Sequence, residues 1–86
     1  MAAAPRTTAQ KAQAYTAMGH SVALIDLIRT DSDSEYTKNE TAQELKDTVS
    51  RNVEHLEIMV ALKDWGSEDM TASKAAITNG KAYVAA

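Results

Sequence analysis

The sequence predicts an all-α fold of three helices, a long helical hairpin with a shorter C-terminal helix folded back on it. Three observations carry this reading. Apolar residues recur at spacings of three and four in three separate stretches, Thr-x-x-Gln and Thr-x-x-Glu boxes stand ahead of the first two, and no Val/Ile/Thr-rich alternation of useful length occurs.

The first helix is expected to start near Thr7, where Thr7-Thr8-Ala9-Gln10 fits a capping box and Pro5 stands just outside it. Ala12, Tyr15, Met18, Val22, Ile25 and Ile28 then share one helical face. Gly19 interrupts this stretch. A central glycine costs about 1 kcal/mol relative to alanine, so the helix is expected either to kink there or to let a neighbour approach closely.

Residues 30–37, dense in Asp and Ser and without apolar period, read as the loop that reverses the chain. Thr37-Lys38-Asn39-Glu40 offers a second capping box. The helix expected from it has the clearest stripe in the chain, Ala42, Leu45, Val49, Val53, Leu56 and Val60, with Lys46, Asp47, Arg51 and Glu54 opposite and an i,i+4 pair available between Asp47 and Arg51. Toward its end Ile58, Met59, Leu62 and Trp65 widen the apolar surface, which places this half in the core or in an interface. Gly66 suits the left-handed residue that ends a helix. Ser67, followed by Glu68 and Asp69, suits the cap of the next one.

In the third segment Met70, Ile77 and Val84 lie seven apart, with Ala76 and Tyr83 beside them. Asn79-Gly80 is expected to end the helix early, leaving residues 80–86 as a short turn or a loose tail. Residues 1–6 read as a flexible N-terminus, and the whole chain, 1–86, as one small helical domain. Should one of these faces meet another subunit, the expected interaction residues are Leu56, Met59, Val60, Trp65, Met70, Ile77 and Tyr83. Trp65, alone at a helix end beside a glycine, is expected to pin the next helix, the alternative being a partner anchor.

Composition narrows the function classes. At 86 residues an isolated core is small and its stability marginal, which favours help from a partner chain. Sixteen alanines and no phenylalanine favour close helix packing, or apolar faces left for another subunit. Cysteine is absent, so disulfides and thiolate metal sites are excluded. No apolar run approaches the roughly 18 residues that span a bilayer, and MAAAPRTTAQK lacks the apolar region of a secretory signal. A net charge of -3 disfavours non-specific binding to nucleic acid.

Several local patterns imitate chemical sites. Two-metal bundle sites use Glu-x-x-His, but the residue three before His55 is Asn52. Glu54 and His55 are adjacent, roughly 100° apart around a helix, and do not point into one pocket. Asp31, Asp33 and Glu35 imitate the start of a calcium loop, yet Tyr36 occupies the glycine position and Ala42 the position of the closing glutamate. A helix-turn-helix around Gly19 would present Val22, Leu24, Ile25, Leu27 and Ile28, with Arg29 its only base, as a reading helix. His20, Ser21 and Asp26 lie too close along one helix to converge as a triad. The expectation is therefore a protein without catalytic, cofactor or metal residues.

The runs PRTTAQKAQAY at 5–15, RNVEHLEIMVA at 51–61, the Trp65 before SEDMT, and NGKAY at 79–83 resemble short open reading frames of tailed phages that infect marine cyanobacteria. The resemblance implies a viral, non-secreted protein made in the bacterial host cytoplasm, and brings no catalytic residues with it. Together with the apolar faces it implies a non-enzymatic helical assembly or interaction protein, such as an accessory component of the virion. The alternative is a regulator that binds a host protein through an exposed helix.

Overall fold

The computed structural model describes residues 6–31 and 33–86. Three helices, α1 (Thr8–Thr30), α2 (Ala42–Ala61) and α3 (Thr71–Ala85), pack pairwise in an elongated bundle of 43 × 22 × 22 Å. The predicted all-α class and the three-helix arrangement hold. The helices carry Met18, Ile25 and Ile28 (α1), Val49, Val53 and Leu56 (α2) and Ala76 (α3) into one core, which Trp65 closes from the α2–α3 connection.

α1 begins where its capping box lies. Thr7 Oγ1 accepts from the Gln10 amide and Gln10 Oε1 from the Thr7 amide, satisfying two donors that a helix start leaves open. The helix then runs without interruption past Gly19. Neither expectation for that glycine is met: it is exposed, and a Cβ added there would touch nothing within 4 Å. Ala12 is also exposed, while Ser21 is buried beside the Met18–Ile25 line.

The first connection is longer than predicted, because α2 is capped one box later. Thr41 and Glu44, not Thr37 and Glu40, exchange the two capping hydrogen bonds. Thr37 is buried within the loop instead, its hydroxyl donating to the Asp31 carbonyl at 2.7 Å and meeting Ser34 Oγ at 2.9 Å. A threonine used to tie the loop to the end of α1 is not available as a cap. On the outer face of α2, Asp47 accepts from Gln43 and Arg51 donates to Thr48, so the expected Asp47–Arg51 pair is replaced by an i,i+4 and an i,i+3 contact with neutral partners.

α2 ends at Ala61, before Gly66, which takes its left-handed conformation (φ 64°) in the turn that follows Trp65. The Met59 carbonyl, left open by the helix end, receives the Leu62 amide at 3.2 Å and the Trp65 indole N–H at 2.7 Å. The contacts of Trp65 thus run to the end of α2 and to the N-terminal part of the chain, whereas its position suggested a pin for the next helix, α3. The Tyr15 ring meets it edge-on at 6.1 Å, the Arg6 guanidinium lies 4.4 Å from its ring centroid, and the same guanidinium pairs with Asp64. Arg6 therefore does not belong to a loose terminus. Residues 1–5, the rest of that expectation, lie outside the described residues.

α3 starts at Thr71 without the Ser67 cap; the Asp69 carboxylate accepts from the Thr71 amide and the Asp69 carbonyl from the Tyr15 hydroxyl. It also does not stop at Asn79-Gly80 but continues to Ala85. Gly80 is buried, and a Cβ there would overlap Val53 Cγ2, crowd Val49 Cγ1 at 3.3 Å and touch Ile25 Cγ2 at 3.5 Å. The close approach expected at Gly19 occurs at Gly80. Ser73, Ala76 and Gly80 form the buried line of α3, and these small residues let its backbone lie near α2.

Candidate functional site

The sequence-predicted interaction residues pack on their own chain. Leu56 is 0% exposed and Trp65 7%, while Met59, Val60, Met70, Ile77 and Tyr83 are partly buried against the same core. α3 covers α1 and α2 of its own chain. The apolar side chains that remain outside are different ones. Ile58 is 60% exposed and Leu62 39%, one turn apart at the C-terminal end of α2, and His55 lies exposed one turn before Ile58.

Beside this strip, α2 and α3 leave an open groove of about 440 Å³, lined by Ser50, Val53, Glu54, Glu57, Lys81, Val84 and Ala85. Its origin is local. Gly80 draws the two helices together, and beyond it the short side chains of Ser50 and Ala85 fail to fill the rims. Lys81 reaches back across the groove to Glu57 at 3.0 Å. Glu54 has no ion-pair or hydrogen-bond partner among the described residues.

A second, polar cleft of about 340 Å³ lies at the start of α2, lined by Tyr36, Glu40, Glu44, Asp47, Thr48 and Arg51. The hydrogen bond between the Glu40 and Glu44 carboxyls, together with their mutual repulsion, raises the pKa of Glu40 above the usual glutamate value. Glu44 is held below it, chiefly by the Thr41 amide of the capping box. At the other end of the bundle the Arg6 hydrogen bond depresses Asp64, and the Thr71 hydrogen bonds depress Asp69.

The patterns that imitated chemical sites do not converge. His55 and Glu54 are both exposed, Glu57 is committed to Lys81, and no group of three potential metal ligands occurs among the described residues. Asp31 Oδ1 accepts from the Asp33 amide, and Glu35 pairs with Lys38, so the loop carboxylates serve the loop. Ser21 is buried while His20 is exposed, and Asp26 pairs with Arg29. The unbroken α1 leaves no turn for a helix-turn-helix. No helix among the described residues is long and apolar enough to cross a membrane.

No protein-family model, curated protein or solved structure matches the chain.

Proposed function

We propose that this chain is a non-enzymatic helical interaction protein, working by presenting helix surface to another protein. One observation carries the reading. The core is filled by Met18, Ile25, Val49 and Leu56, yet the C-terminal half of α2 keeps Ile58 and Leu62 outside and borders a groove with Val53 and Val84 in its lining. Apolar surface that the fold does not need for its own core is surface available for recognition. The likeness of PRTTAQKAQAY and RNVEHLEIMVA to short phage proteins supports a viral setting, and with it an accessory part of the virion formed in the host cytoplasm. A factor that docks on a host protein uses the same surface.

The test is a photo-crosslinking residue at position 58, compared with one at Glu68, an exposed position away from the groove. Adducts of discrete mass from Ile58 and not from Glu68, whether to a second copy or to another protein, support the reading. Uncrosslinked monomer from both positions, in cells that express the chain at native level, removes it.

A further inference from the structure

The packing of α3 on α2 requires a glycine at position 80, and the residue before it is an asparagine. An asparagine followed by glycine is chemically labile, because no Cβ shields the amide nitrogen that attacks its side chain. We propose that Asn79-Gly80 is a site of spontaneous deamidation which the docking of α3 holds closed, and that conversion there to isoaspartate releases α3 permanently.

The reaction needs water and no other reactant. The Gly80 nitrogen gives up its proton to solvent and attacks Asn79 Cγ. The new bond closes a five-membered succinimide, while Nδ2 takes up a proton and leaves as ammonia. Water then adds to one of the two ring carbonyls and breaks its bond to nitrogen. Opening at Cγ leaves aspartate; opening at the main-chain carbonyl leaves isoaspartate, whose backbone runs through Cβ and Cγ.

Helix α3 opposes the first step twice. It runs unbroken from Thr71 to Ala85, and ring closure needs the Asn79 backbone turned far from the helical ψ of about −42°. Gly80 is also held from outside its helix: Val53, Val49 and Ile25 crowd the place of its missing side chain, so this backbone turns only if α3 lifts off. Of the three helices α3 lifts most readily. The large, fully buried side chains, Met18, Ile25, Val49 and Leu56, belong to α1 and α2, whereas the buried line of α3 is Ser73, Ala76 and Gly80. Return is blocked once isoaspartate has formed. The lengthened backbone breaks the hydrogen-bond register of the helix, and glycine no longer arrives opposite Val53.

The test incubates the full chain in buffer and in denaturing urea, at a temperature where the native chain converts measurably, and locates deamidation by peptide mass and isoaspartyl methyltransferase labelling. In urea, conversion at Asn79 is expected to outpace that at Asn39 and Asn52, which precede Glu40 and Val53. In buffer it is expected to be slower by roughly 100-fold, the population of the opened helix setting the rate. Ala75→Gly, at an exposed position, weakens α3 without touching its packing or the reacting pair. It is expected to speed conversion roughly fivefold in buffer and not in urea. Circular dichroism verifies that this variant keeps its helices before incubation. The isoaspartyl chain, purified and returned to buffer, is expected to hold less helix than the unconverted chain treated alike. Equal rates in buffer and urea, no preference for Asn79 in urea, an unchanged buffer rate in Ala75→Gly, or full helix content in the isoaspartyl chain overturns the proposal.

Discussion

Two glycines lie inside helices of this protein, and their surroundings are opposite. Gly19, within α1, faces solvent with nothing near its missing side chain; Gly80, within α3, sits where Val49, Val53 and Ile25 converge. The first glycine costs its helix propensity and returns no contact. The second costs the same propensity but permits a close approach of α3 to Val53 and Val49 of α2. A helical glycine is therefore informative only through what lies across from it.

The core on which this tight contact rests is broken most severely through Leu56, which is fully buried. Leu56→Ala is expected to lower the unfolding free energy by about 2–5 kcal/mol, measured by urea denaturation, because the cavity left in a closed core does not collapse. An unchanged midpoint would mean that the core is not packed as described. Gly80→Ala comes next. Val53 Cγ2 and Val49 Cγ1 belong to stiff, β-branched side chains, so α3 must shift outward, and the loss is expected at about 1–3 kcal/mol despite alanine's better propensity. Gly19→Ala has the opposite sign, a gain of about 0.5–1 kcal/mol, seen as a higher melting midpoint. A destabilised Gly19→Ala together with a stabilised Gly80→Ala would invert the assignment of the two sites.

Away from both glycines, the polar ties at the ends of the bundle give a smaller, pH-dependent effect. Asp64 is depressed by Arg6, Glu44 by the Thr41 cap and Asp69 by Thr71. A carboxylate held low in the folded state stabilises above its ordinary pKa, about 4, and loses that contribution as pH falls through the depressed value. The melting midpoint should therefore fall on acidification below about pH 4, and Asp64→Asn should lower it at pH 7 while lying nearer to wild type at pH 3. Glu40 works in reverse. Its raised pKa marks an anion disfavoured in the folded state, so Glu40→Gln is expected to raise the midpoint slightly at pH 7.

Much of the fold is legible along the chain because the signals are local. The Thr7–Gln10 box and the period of Val49, Val53 and Leu56 involve groups within a turn or two of one another, whereas the contacts of Trp65 with Tyr15 and Arg6 join distant parts of the chain. The candidate site is less legible. Val53, Glu54 and Glu57 stand out on α2, but Lys81 and Ala85 carry no mark in the sequence, and the groove exists only once α3 lies beside α2. Periodicity likewise identifies Leu56 and Met59 as apolar without telling whether the core or a partner covers them, and the bundle buries Leu56 while leaving Ile58 outside.

By itself, then, the sequence determined the class of fold, the number of helices, the start of α1 and the apolar line of α2, because caps and helical period depend on neighbours three and four residues away. Tertiary structure decided between the two consecutive boxes in TKNETAQE by drawing Thr37 into the loop, and carried α3 through Asn79-Gly80 by packing that glycine on Val53. It also decided which apolar residues stay at the surface. In each case two local solutions are close in free energy, within about 1 kcal/mol for a cap or a glycine, and contacts with another helix or the loop tip the balance.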